Sequence, residues 1–176
     1  MNISNQLRMT VYASLFSALI AAGAFIAIPI GPVPIVLQNM FVLLAGIILG
    51  SRWGLASVSV YLLMGALGFP VFAGGTGGIG RLFGPTGGYL LSYLPAVFIT
   101  GIISGKQRKT MATDIIAMAA GSLIVYAAGV PWLKYVTGMG WNKALTLGMY
   151  PFIIGDIIKI VAAAYAAKII RPIVKH

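Results

Sequence analysis

The segment Gly155-Asp156-Ile157-Ile158-Lys159 places a carboxylate and an ammonium three residues apart inside an otherwise apolar run. At that spacing they share one helix face and can pair. In hydrocarbon each charge costs at least ~2.5 kcal/mol on insertion scales, so the face that carries them must point into protein or a cavity. A structural ion pair is the plain reading, but a buried pair is weak grounds for stability, because apolar replacement often serves as well. Ionisable groups at membrane depth mark ligand or ion paths. The expected chemistry is therefore recognition of a small polar guest.

The remaining reactive side chains narrow the field. The two acids, Asp114 and Asp156, fall in different runs and at different depths, which disfavours a paired-carboxylate mechanism. The single histidine, His176, is the last residue, so neither a Ser–His–Asp triad nor a histidine metal cluster can be assembled. There is no cysteine. Gly105-Lys106 is followed by Gln107, and Thr100 stands where a phosphate-binding loop needs its first glycine. Gly75-Thr76-Gly77-Gly78-Ile79-Gly80 matches G-x-G-x-x-G, but an apolar run precedes it and the next acid is Asp114, so the dinucleotide reading fails. What survives is a glycine-dense loop from Gly74 to Gly88 holding Arg81, Pro85 and Tyr89. It reads either as a flexible connection or as a pocket wall built of main-chain donors. The chain is expected to be no enzyme and to hold no cofactor or metal.

The elements that position these residues are membrane spans. Of 176 residues 60% are hydrophobic and 8% charged, against roughly 25% charged in soluble domains. Apolar runs lie near 10–30, 34–51, 53–69, 86–105, 113–133 and 146–170. At about 20 residues per span they predict an all-α bundle of about six transmembrane helices, a single domain over 1–176, with the glycine-rich loop joining helices 3 and 4. The run from Ser14 to Ile30 is long for a signal peptide and is read as the first span. Only Ser51-Arg52 divides the second run from the third, which leaves a re-entrant hairpin as the alternative to two full spans.

The net charge of +10 is spread singly or in small groups between apolar runs, as at membrane flanks, rather than in a stripe suited to nucleic acid. One side of the bundle receives Arg8, Arg52, Lys106, Arg108, Lys109, Lys168, Arg171 and Lys175. The other receives Arg81, Lys134 and Lys143. The positive-inside rule then puts both termini in the cytoplasm and the Arg81 loop outside the cell membrane. With the last helix entering near residue 146, Asp156 would lie about 15 Å along it at 1.5 Å per residue. Ser14, Ala18 and Ala22 recur every four residues on one face, and Gly46-x-x-x-Gly50 and Gly101-x-x-x-Gly105 repeat the pattern. Such faces allow close helix packing, within the chain or against a partner.

Four ordered runs carry a family resemblance across nearly the whole chain. They are Pro32-Val33-Pro34-Ile35-Val36-Leu37-Gln38, Gly68-Phe69-Pro70-Val71-Phe72-Ala73-Gly74-Gly75, Leu82-Phe83-Gly84-Pro85-Thr86-Gly87-Gly88-Tyr89 and Pro151-Phe152-Ile153-Ile154-Gly155-Asp156-Ile157-Ile158-Lys159. The sequence resembles the substrate-capture (S) components of energy-coupling factor (ECF) transporters, and among them the biotin-specific BioY group. The resemblance implies six helices and a vitamin pocket near the outer face. It also implies partnership with a transmembrane coupling (T) subunit and two cytoplasmic ATPases, and toppling of the subunit to carry biotin inward.

By the same resemblance, Asp156 and Lys159 match the polar ligand-binding pair, and Ser14, Ala18 and Ala22 match the docking face for the coupling subunit. Thr76 stands at the variable position of the Gly-Gly-x-Gly-Gly loop, and Leu90 follows Gly-Gly-Tyr where some members place a cation. Biotin offers a ureido ring, an apolar thioether body and a carboxylate. Asp156 could accept the ureido N–H groups, Lys159 could meet the ureido oxygen or the carboxylate, and Arg81 could clasp the carboxylate. Tyr89, Phe72 and Trp132 are expected around the apolar body, Trp132 being equally suited to anchor at the membrane interface; Gln38 closes the first run and joins the candidate ligands. An S component for another small vitamin, and a self-contained carrier using Asp156 as its proton site, are the alternative functions.

Overall fold

The structure, a computed structural model, describes residues 3–106 and 110–174. Arg108, Lys109, Lys175 and His176, three of which entered the charge count, lie outside the described residues. Among the described residues seven helices occur, in the order α1 (Ile3–Phe25), α2 (Gln38–Ala66), α3 (Gly80–Phe83), α4 (Gly87–Lys106), α5 (Met111–Thr137), α6 (Trp141–Gly148) and α7 (Tyr150–Val174). Between α1 and α2 a small ribbon pairs β1 (Ala27–Ile28) antiparallel to β2 (Ile35–Val36).

By length and composition α1, α2, α4 and α5 can each cross a membrane. The helix α2 is in fact two. Gly50 adopts φ 78° and ψ −179°, a conformation open to glycine alone. In a straight helix Gln38 and Tyr61 would stand about 34 Å apart at 1.5 Å per residue. Instead the Gln38 Nε2 donates to the Tyr61 hydroxyl at 2.7 Å, so the chain reverses at Gly50. The arms 38–49 and 51–66 are the expected second and third spans, and with α1, α4, α5 and α7 they make the six-helix bundle.

Two boundaries differ from the sequence expectation. The first helix begins at Ile3 and stops at Phe25, because Pro29, Pro32 and Pro34 bar helix beyond it and the chain turns into the ribbon. The last run splits. A helix continuous through 146–170 would press the Pro151 ring on the carbonyl four residues earlier. The chain breaks instead at Met149, leaving α6 as a short amphipathic helix and placing Pro151 in the first turn of α7, where no N–H is missed. Asp156 is therefore about 9 Å into its helix rather than about 15 Å.

Glycines set the helix spacing as the small-residue pattern suggests. A methyl group on Gly46 would come within 2.8 Å of the Val97 carbonyl oxygen, and one on Gly101 would collide with the backbone at Gly50 and Ser51. These close approaches seat α4 between the hairpin of α2 and α5. Gly105 faces open space and has no such role. A capping box formed by Thr110 and Thr113 starts α5, and Gly138 in the left-handed region ends it.

At the end of the bundle holding the α4–α5 connection, Asp114 and Arg171 form a buried ion pair at 2.6 Å. Arg171 Nη2 also donates to Ser104 Oγ at 2.8 Å and to the Ile47 carbonyl at 3.2 Å, tying α7 to α2, α4 and α5. Arg171 is 8% exposed, so it is a structural tie rather than the solvated flank charge the count made it.

Candidate ligand-binding site

A cavity of about 370 Å³ opens at the opposite end of the bundle. That size sits near the lower end of small-molecule sites, roughly 300–1,000 Å³. Its covers are the β1–β2 ribbon with its proline-rich turn and the segment 72–86, which is irregular apart from the single turn of α3. Its floor is the start of α2, the first turns of α4, and the middles of α5 and α7. Positive φ values at Gly74, Gly75 and Gly78 let the 72–80 segment fold back on itself, held by bonds between Phe72 and Thr76.

Helix α7 explains why its charges face this cavity. Ile154, Ile157, Ile158 and Val161 are exposed on its outer side, while Phe152, Asp156, Lys159, Ile160 and Ala163 form the buried stripe. Asp156 and Lys159 pair at 3.0 Å and are 6% and 9% exposed. Around them is a closed network. Asn39 Nδ2 donates to Asp156 Oδ1 at 2.8 Å, and the Tyr126 hydroxyl donates to Asp156 Oδ2. Lys159 Nζ donates to the Val36 carbonyl at 2.8 Å and to Asn39 Oδ1 at 3.3 Å. A pair taken from one helix is thereby fixed by β2, α2 and α5. Pre-set dipoles of this kind can recognise a polar ligand without rearranging first.

The cavity gathers six of the seven expected ligand residues: Asp156, Lys159, Arg81, Thr76, Tyr89 and Gln38. Arg81 is exposed at the rim on α3, and its guanidinium has no hydrogen-bond or ion-pair partner among the described residues. Thr76 turns its hydroxyl to the Ala73 carbonyl at 3.1 Å. Tyr89 forms wall, its ring against Gly129 and its hydroxyl donating to the Gly148 carbonyl at 2.8 Å. Phe72 lines the site as expected and meets Tyr61 edge to face.

Trp132 is the exception. It does not line the cavity; its Nε1 donates to the Gly84 carbonyl at 2.9 Å, and its ring packs on Gly87 and Gly88. The half-buried indole, wedged against glycine backbone, braces the corner between α3 and α4. Asn39, Tyr93, Tyr126 and Phe152 line the site without having been singled out. Asn39 stood one residue past a recognised run, and the tyrosines read as ordinary span residues.

Ser14, Ala18 and Ala22 lie exposed on α1, while Ala13, Phe16, Ser17, Ile20 and Ala24 face the bundle.

Comparison with known proteins gives a consistent picture. The model of the BioY family matches residues 1–176. A probable biotin transporter BioY of Pyrococcus horikoshii is 44% identical over 155 residues, covering 88% of this chain and 91% of its own. The biotin transporter BioY of Thermotoga maritima is 43% identical over 162 residues, covering 92% and 94%. The crystal structure of the S component for biotin of an ECF-type ABC transporter superposes with a TM-score of 0.91 at 30% identity, covering 98% of this chain and 95% of that one.

Proposed function

This chain belongs to the BioY family, and from that premise we propose that its 176 residues form one transmembrane substrate-binding domain that captures biotin for an ECF-type uptake transporter. The observation that carries the proposal is the Asp156–Lys159 pair, buried on the inner face of α7 beside a cavity and not on the helix's exposed apolar side or in solid packing. Asp156 accepts from the ureido edge, Lys159 stands beside it, and the rim cation Arg81 takes the carboxylate. Phe72, Tyr89, Tyr93 and Phe152 enclose the thioether body. No bond of the ligand is made or broken, and these residues serve recognition alone.

The finer assignments follow from the same frame. The cavity end faces outward and both termini lie in the cytoplasm, as the excess of Lys and Arg at the other end supports. The exposed face at Ser14, Ala18 and Ala22 receives the coupling subunit, which brings the two ATPases; its small side chains permit close helix approach. Calorimetry on purified protein freed of co-purified ligand tests the reading. One biotin per chain is expected, with unlabelled vitamins of other classes failing to compete, and no heat at micromolar biotin would refute it.

A further inference from the structure

A second cavity, of about 400 Å³, lies at the other end of the bundle, between the start of α1, the α2 reversal and the ends of α4 and α7. It shares no lining residue with the first. A cation stands in it without a counterion. Arg8 lines the cavity, and its guanidinium makes one long hydrogen bond, from Nη2 to Asn5 Oδ1 at 3.4 Å. The Arg8 Nε is buried and has no partner among the described residues. Neither acidic side chain of the protein is free to meet it: Asp156 pairs with Lys159 at the opposite end, and Asp114 pairs with Arg171. A buried donor left unpaired is costly, and an acceptor entering the cavity relieves that cost.

The rest of the lining has two characters. Met9, Ile48 and Val174 form an apolar wall. Trp53 is half-buried beside them, and its indole N–H has no partner among the described residues. At Gly50 and Gly105 the cavity is bounded by bare backbone, where a methyl group would meet nothing within 4 Å. A bare inorganic anion suits the cation but leaves the apolar wall uncovered. A phospholipid suits both, its phosphate against Arg8 and its glycerol and first acyl carbons against the wall. The ammonium of a zwitterionic headgroup would find no acid in this lining. Basic pockets between spans on the cytoplasmic side are favourable sites for anionic headgroups, and Trp is at home at that level of the membrane.

We propose that this cavity holds the phosphate headgroup of an anionic phospholipid of the inner leaflet, with Arg8 as its ionic partner and Trp53 as a second donor. The site goes beyond biotin capture and takes from that reading only the orientation of the bundle. An acidic side chain of the coupling subunit is the competing occupant.

The test uses the full chain, purified in detergent, stripped of lipid and free of biotin. Retention of added phosphatidylglycerol is read by native mass spectrometry, and the thermal midpoint is a second readout, since a ligand of the folded state raises it. Phosphatidylglycerol is expected to be retained and to raise the midpoint; phosphatidylcholine and inorganic phosphate at the same concentration are expected to do neither. Arg8→Gln should weaken retention roughly 5- to 10-fold, the worth of one cation near an anionic surface together with its hydrogen bond. Biotin affinity should stay at the parental value. Arg52→Gln removes an exposed cation beside Trp53 but outside the cavity lining, and should leave retention unchanged. Should Arg8→Gln not fold, Trp53→Phe keeps a ring, removes the N–H, and is expected to weaken retention about 3-fold. Equal retention of the two lipids, equal losses in Arg8→Gln and Arg52→Gln, or a midpoint raised as much by inorganic phosphate overturns the proposal. So does an Arg8→Gln protein that keeps its lipid but no longer co-purifies with the coupling subunit, which would give the cavity to an acid of that partner. None of the lipid readouts involves biotin, so failure here and failure of biotin capture are told apart.

Discussion

Asp156 carries the site because three donors from three elements converge on it: Asn39 from α2, Tyr126 from α5 and Lys159 from its own helix. Removing its charge weakens every one of these bonds along with the bond to the ligand proposed above. Asp156→Asn and Lys159→Ala are each expected to weaken biotin binding roughly 10- to 150-fold, the equivalent of a lost hydrogen bond to a charged group at about 1.5–3 kcal/mol. Calorimetric affinities check this, and parental affinity in both variants would remove the site. The pair itself was legible in the sequence because its spacing is local and its depth anomalous. Asn39 and Tyr126 were not, since their partnership with Asp156 spans 117 and 30 residues and no local pattern encodes it. The same holds for Arg171, which a charge count assigns to the flank and whose partner Asp114 lies on another helix. Trp132 misled for the opposite reason: an aromatic near a glycine loop suits a ligand wall, but the glycines there leave room for the indole instead.

Among the elements, the hairpin of α2 depends most on a single residue. Gly50 is the one position where the chain can reverse, and a methyl group there would meet nothing within 4 Å. A substitution is therefore opposed by backbone strain, not by crowding. Gly50→Ala is expected to cost about 1–3 kcal/mol of stability. Its thermal midpoint in detergent should fall while biotin affinity stays at the parental value, because Gly50 lies at the far end of the arm that presents Gln38 and Asn39. An unchanged midpoint would mean that the reversal does not need the left-handed conformation. The tie across the same end of the bundle gives a larger expected effect. Asp114→Asn leaves the buried Arg171 charge without its partner, and breaking one side of a buried pair costs about 3–5 kcal/mol. Its midpoint should fall further than that of Gly50→Ala. The six spans were readable from hydropathy, whereas the break before α7 was readable only by weighing Pro151 against the length of the apolar run.

At the scale of the whole molecule, the two ends of the bundle have different tasks. One end is glycine- and proline-rich and open to the cavity beside Asp156 and Lys159; the other carries the α2 reversal and the Asp114–Arg171 tie. Between them the α1 face at Ser14, Ala18 and Ala22 is turned away from the bundle and away from the cavity. Ala18→Glu should therefore leave biotin affinity unchanged but abolish co-purification with the coupling subunit, since a carboxylate there blocks close approach and is costly in lipid. Retained co-purification would move the docking face elsewhere. Orientation can be tested directly, because the chain has no cysteine and each introduced thiol is the only one. Asn142, exposed on α6, and Thr110, exposed at the start of α5, lie on opposite sides in the arrangement proposed here. Asn142→Cys should react with a membrane-impermeant maleimide in intact cells, and Thr110→Cys only after the membrane is permeabilised. The reverse pattern would place the cavity on the cytoplasmic side, where a subunit meant to take up an external vitamin could not first meet it.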